Sequence, residues 1–135
     1  MELLNNQEYS KPAKRKLFYV EDDEFARDVV RRMLADNFEI DIVNNSNEAL
    51  LKAPSNQYDA VLMDINLKGG LNGIELTIEL KKIPGYENIP YVAFTAYASH
   101  TDKETFLAQG LTHYISKPFT KADLLQKINS VFENK

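Results

Sequence analysis

Short apolar runs alternate with segments of helical period along nearly the whole chain. Leu17-Phe18-Tyr19-Val20 predicts a first strand, and Phe25, Val29 and Met33 with Val30 and Leu34 then recur at the i, i+4, i+8 spacing of an amphipathic helix. Ile40 to Val43 predicts a second strand, followed by a short helix from Asn47 to Lys52 that Pro54 closes. Ala60-Val61-Leu62-Met63 predicts a third strand, and Ile74, Leu76, Ile78 and Leu80 mark a third helix that ends by Pro84-Gly85. Tyr91 to Phe94 predicts a fourth strand; Thr101-Asp102-Lys103-Glu104 is a capping-box pattern opening a fourth helix, which Gly110 ends. His113 to Ser116 predicts the fifth strand. The last helix follows Thr120, with Asp123 at the box position and Leu124, Leu125, Ile128, Val131 and Phe132 as its buried stripe.

Strand and helix alternating with short connections predict an α/β fold, a five-stranded doubly wound parallel sheet of (βα)5 type. Parallel strands need crossovers, and right-handed crossovers place helices on both faces. In a sheet of order 2-1-3-4-5, the flavodoxin-like order, the crevice between strands one and three opens at the carboxyl ends, where such sheets bind ligands.

Composition narrows the class. With 135 residues, 44% hydrophobic and 27% charged, the chain fits one soluble globular unit. Residues 1–14, with Asn5-Asn6-Gln7-Glu8 and Ser10-Lys11-Pro12, have no periodicity and read as a flexible leader, leaving 15–135 as the folded unit. No apolar stretch approaches the ~20 residues of a membrane span. The absence of Cys and of a secretory apolar segment points to the cytoplasm. A net charge of -4 argues against direct nucleic-acid binding, and the basic group Lys11, Lys14, Arg15, Lys16 reads as a solvated tail.

The chemistry lies where apolar runs stop on charges. Val20 is followed by Glu21-Asp22-Asp23, Met63 by Asp64, and Ile115-Ser116 by Lys117-Pro118. In the expected strand order Glu21, Asp22 and Asp64 meet in the crevice and Lys117 arrives from strand five. Three carboxylates a few ångströms apart repel, so either some are protonated or a cation sits among them. Oxygen-only ligands favour a hard ion, and Mg2+ accepts one or two carboxylates completed by water and phosphate, which points to phosphate chemistry. With the Lys117 ammonium, a divalent ion would balance the three acids. Asp23 and Glu24 are explained equally well as helix-start charges. Thr95, closing strand four in Ala93-Phe94-Thr95-Ala96, could offer its hydroxyl to phosphoryl oxygens beside Lys117, or be an ordinary strand-end residue. Tyr114, by spacing alone, is a core residue. Lys117-Pro118 is a bond that can be cis.

These residues resemble the receiver domain of bacterial two-component response regulators, over Lys16 to Phe132. Val20-Glu21-Asp22-Asp23 followed by Arg27 is similar to the family's acidic pair. Met63-Asp64-Ile65-Asn66 with the later Gly73-Ile74-Glu75-Leu76 resembles its phosphoacceptor segment, and Phe94-Thr95-Ala96 and Tyr114-Ile115-Ser116-Lys117-Pro118-Phe119 complete the set. The resemblance implies that 15–135 is a receiver domain whose Asp64 takes a phosphoryl group from a histidine kinase or a histidine phosphotransfer protein. It implies Mg2+ ligated by Asp22 and Asp64, with Glu21 acting directly or through water and the Asn66 backbone carbonyl filling another position. Lys117 would bind the phosphoryl group, the Lys117-Pro118 bond would be cis, and Thr95 and Tyr114 would form a switch pair. The change would be read on the face of helix four, strand five and helix five by a downstream protein the sequence does not name. A phosphorylation-dependent dimer is a further expectation. No turnover of other molecules is implied, only self-phosphorylation and slow self-dephosphorylation.

Two departures stand out. Lys68 replaces the family's usual Pro, and Gly69-Gly70 lengthens the following loop by one residue, which leaves the start of helix three open. Tyr97, two residues past Thr95, is expected to slow hydrolysis by crowding the phosphoryl group. An aspartyl-nucleophile phosphatase is the alternative, disfavoured because Asn66 stands where such enzymes carry a second acid. A flavin module is disfavoured because Glu21-Asp22-Asp23-Glu24 would repel its phosphate. A stand-alone regulator and the receiver part of a hybrid kinase or larger regulator both fit.

Overall fold

The computed structural model describes residues 13–96 and 100–133, with the side chains of 100–103 outside that description. Strands β1 (Arg15–Val20), β2 (Phe38–Val43), β3 (Ala60–Asp64), β4 (Tyr91–Thr95) and β5 (His113–Ser116) form one sheet in the order β2-β1-β3-β4-β5. Every neighbouring pair is parallel, as the alternation of elements predicts. Two strands begin earlier than their apolar runs, because Arg15 and Lys16 pair with Phe38 and Glu39 and the ladder recruits polar residues. At the other end β3 runs one residue past its apolar stretch, so Asp64 itself is in the ladder opposite Phe94.

The helices are α1 (Glu24–Leu34), α2 (Ser46–Lys52), α3 (Gly73–Leu80), α4 (His100–Ala108) and α5 (Lys121–Glu133). Alternating strand residues feed two core layers. Phe18, Val20, Val61 and Met63 pack with Ala49, Leu76, Leu80 and Phe106, while Leu17, Tyr19, Leu62 and Phe94 pack with Val30, Leu34, Leu124 and Ile128. Fully burying each of the larger aliphatic or aromatic side chains contributes roughly 1.5 to 3 kcal/mol. The predicted stripe of α5 is largely as observed, with Leu124, Ile128, Val131 and Phe132 buried. That of α1 is not: Val30 and Leu34 are buried but Phe25 is 76% exposed. It sits in the first turn, at the rim of a cleft rather than over the sheet. Ile78 is likewise exposed on α3, whose core face is Leu76, Thr77 and Leu80. Pro54 does not stop the chain's helical path outright. It occupies the start of a 3-10 turn, Ala53–Ser55, that continues α2, a position where its missing N–H has no partner to lose.

The amino end of the sheet is closed by tyrosines. Tyr58 stacks on Phe18 with ring centroids 4.5 Å apart, and the Tyr86 hydroxyl lies 2.7 Å from the Ala53 carbonyl oxygen and 2.8 Å from that of Asn56. Tyr91 donates its hydroxyl to the Tyr86 carbonyl at 2.7 Å. The Asp59 carboxylate accepts from the Lys16 amide at 2.7 Å.

The loop before α3 is tied to the start of α2 by a hydrogen bond. The buried Ser46 hydroxyl accepts from the Leu71 amide at 2.9 Å, and Gly69 supplies a φ of 78° that residues with a Cβ rarely adopt. α3 starts at Gly73 under a capping box, with Asn72 accepting from the Glu75 amide and Glu75 reaching back to the Asn72 amide. A Cβ on Gly73 would collide with the Asp64 carbonyl oxygen and stand 2.8 Å from the Ile65 Cα. The helix start is thereby pressed against the backbone of the residue that ends β3. No helix among the described residues is long and apolar enough to cross a membrane.

Candidate functional site

β1 and β3 are adjacent, with Val20 in register with Met63, so the residues that follow each strand emerge side by side. Glu21, Asp22 and Asp64 each offer a carboxylate oxygen, and these oxygens lie within 4.8 Å of one another. Glu21 is 1% exposed and Asp64 4% exposed, while Asp22 is half-buried at the mouth. Lys117, delivered just past β5, places its Nζ 3.6 Å from Asp64 Oδ1 and 3.8 Å from Glu21 Oε1. The Lys117-Pro118 peptide bond is cis, as the resemblance implies. The Lys117 amide donates to the Thr95 carbonyl at 2.8 Å, tying the start of this turn to β4. Together Glu21, Asp22, Asp64, Asn66, Lys68 and Lys117 line an open polar cleft of about 410 Å³.

Each acid is held by the backbone it stands on. The Asn66 amide donates to Asp64 Oδ1 at 3.1 Å, and the Asp23 amide donates to Glu21 Oε2 at 3.2 Å. Asp23, at the edge of the same cleft, caps α1 by accepting from the Ala26 amide at 2.8 Å, the role of a helix-start charge. Arg27 donates to the Glu21 carbonyl at 3.0 Å. Burial pushes the Glu21 carboxyl up to about 7, and the Asp64 carboxylate beside it pushes the same way, against the pull of the Lys117 ammonium and the Asp23 amide. One ammonium against three acids leaves the cluster short of positive charge. Clustered oxygen donors in a cleft with room for water fit a hard divalent cation such as Mg2+.

Thr95 and Tyr114 stand on β4 and β5, the two strands beyond this corner. Thr95 is buried at the end of β4, in register with Ser116. Tyr114 is half-buried against the core layer of α2 and α3, with the Lys127 ammonium 5.4 Å from its ring centroid. Tyr97 lies outside the described residues.

Two residues around the cleft were not singled out as site residues from sequence. Lys68 lines the cleft beside Asn66. Tyr19 donates its hydroxyl to Glu21 Oε1 at 3.0 Å from inside the core. Burial, and then the Glu21 charge, hold that phenol far above its ordinary pKa, so it remains a donor. Within a strand, residues two apart share a face, and the Tyr19 and Glu21 spacing is the signal that could have found it.

The family model described as the response regulator receiver domain matches residues 17–129. The chain belongs to that family. This receiver domain is 33% identical over 123 residues to the hybrid signal transduction histidine kinase I of Dictyostelium discoideum, covering 85% of this chain and 7% of that one. It is 30% identical to the phosphate regulon transcriptional regulatory protein PhoB of Rhizobium meliloti, covering 86% of this chain and 51% of that one. The chain thus spans about half of one relative and a small part of the other. Among solved structures, chemotaxis protein CheY4 of Vibrio cholerae superposes with a TM-score of 0.83 at 28% identity, covering 88% of this chain and 99% of that one. The receiver domain of the sensor histidine kinase PA1611 from Pseudomonas aeruginosa superposes with a TM-score of 0.80 at 30% identity, covering 90% and 99%. That structure carries a magnesium ion coordinated in its active site cleft. The receiver domain is therefore a signalling module of two-component systems, in a family that includes receivers of hybrid kinases.

Proposed function

We propose that this receiver domain is modified at Asp64, which takes a phosphoryl group from the phosphohistidine of a histidine kinase or histidine phosphotransfer protein. The observation that carries this reading is the position of Asp64: a nearly buried carboxylate at a strand end, between two further acids and the ammonium of Lys117. A carboxylate oxygen of Asp64 forms the new O–P bond as the donor N–P bond breaks. The electron pair of that bond stays on the imidazole nitrogen, which takes a proton from solvent. Asp22 and Asp64, with Glu21 and the Asn66 backbone carbonyl, are the groups that would hold Mg2+. When bound, the ion would neutralise carboxylate charge and polarise phosphoryl oxygens. Lys117 then exchanges its carboxylate partners for a phosphoryl oxygen, and the Thr95 hydroxyl takes another.

The switch follows from the same charges. A dianionic group on Asp64 draws Thr95 toward it, and the Tyr114 ring turns into the space released, changing the face made by α4, β5 and α5. That face is where a downstream protein, or a second phosphorylated copy in a dimer, would read the state in the cytoplasm.

Incubation with acetyl phosphate and Mg2+, followed by intact mass, tests the reading. The wild type should gain one phosphoryl mass that is stable in acid and lost in base, and Asp64→Asn should gain none. An unlabelled wild type, or equal labelling of Asp64→Asn, sinks it.

A further inference from the structure

We propose that Tyr19 is the positioning residue for Glu21 in the cation site, a role that rests on the phosphoacceptor reading above. Tyr19 sits on β1 two residues before Glu21, so both side chains leave the same face of the sheet. The ring is fully buried in the layer of α1 and α5 and leans on Phe94, with centroids 5.4 Å apart and planes at 43°. Packed in this way, the hydroxyl donates to Glu21 Oε1 at 3.0 Å.

Glu21 needs such a donor. With almost no exposure it cannot rely on water, and an unpartnered buried carboxylate is costly. Its other contacts include the Asp64 carboxyl beside it, the Asp23 amide at 3.2 Å and the Lys117 ammonium at 3.8 Å. Lys117 is shared with Asp64 at 3.6 Å and, about one-third exposed, can follow an incoming anion. Tyr19 is fixed by packing. It keeps Oε1 satisfied when Lys117 leaves, and with the Asp23 amide on Oε2 it fixes the plane of the carboxylate facing Asp22 and Asp64. Partners that orient a metal's ligands in this way typically matter by 10–100-fold in metal affinity.

Tyr19→Phe removes the hydroxyl and keeps the ring. Titration of the full chain with MgCl2, followed calorimetrically and by amide chemical shifts, should show Mg2+ affinity about tenfold weaker than wild type. In a Glu21→Gln background the same Tyr19→Phe change should leave Mg2+ affinity unaltered, because the hydroxyl acts through that carboxylate. Equal affinity in wild type and Tyr19→Phe, or an equal loss in both backgrounds, overturns the proposal, the second outcome assigning Tyr19 a packing role alone. A wild type that binds no Mg2+ and takes no label from acetyl phosphate overturns the phosphoacceptor reading instead.

Discussion

The two ends of the sheet are built on opposite principles. At the amino end Tyr58 stacks on Phe18 and meets Tyr86 edge-on, Tyr58, Tyr86 and Tyr91 spend their hydroxyls on an aspartate and on backbone carbonyls, and the polar groups there match one another. At the carboxyl end Glu21, Asp22 and Asp64 crowd around one ammonium, and the charges do not match. The amino end therefore supplies stability and the carboxyl end holds a deficit that a cation or a phosphoryl group can use. Departures from local consistency are expected where function sits.

Breaking the amino end should cost stability without touching chemistry. Tyr86→Ala should lower the unfolding free energy by about 3 to 5 kcal/mol in urea, since it removes a buried aromatic ring and its bonds to the chain before β3. The folded fraction should still take label from acetyl phosphate. Loss of labelling in fully folded Tyr86→Ala would join the two ends and undo the contrast. Gly73→Ala attacks the junction between the helix α3 and the carboxyl end, because the new methyl meets the backbone of Asp64 and Ile65. It should cost about 1 to 3 kcal/mol and, unlike the tyrosine variant, also slow labelling of the folded protein.

The charge deficit has its own signature in pH. Glu21 is raised from 4.5 to about 7 by burial and by Asp64, so between those values the folded chain holds more protons than the unfolded one. Stability of the metal-free protein should fall as pH rises through that window and level off above it. Melting temperatures in EDTA at pH 5 and pH 8 measure the fall, and Glu21→Gln should remove this part of it. At the small end, Tyr91→Phe should cost about 1 kcal/mol by deleting one buried hydrogen bond to the Tyr86 carbonyl, with Mg2+ affinity unchanged by titration.

Much of this architecture is legible in the amino-acid sequence. Period and punctuation locate the five strands and their helices, and in the order β2-β1-β3-β4-β5 the charges that follow Val20, Met63 and Ser116 point to one corner. What periodicity does not decide is how far each helix overlies the sheet, so Phe25 and Ile78 keep the helical spacing yet stay exposed. Strand starts at Arg15 and Phe38 were set by pairing, which a single segment does not reveal. Tyr19 stayed hidden because an apolar run reads as packing, and the acceptor of its hydroxyl is known only once the geometry is fixed. The capped start of α3 at Gly73 resolved what the added glycine had left open.

The position of Lys117 also bears on how the chain assembles. β1 and β3 pair directly and bring Glu21 and Asp64 together, but the ammonium that relieves them follows the last strand. A half-formed sheet thus gathers like charges with no counterion of its own. Long-range closure is slow and rewarded late. Here the reward at the carboxyl edge is withheld until β5 has docked, so partly assembled forms gain little from that edge and the chain is driven toward folding as a single cooperative unit.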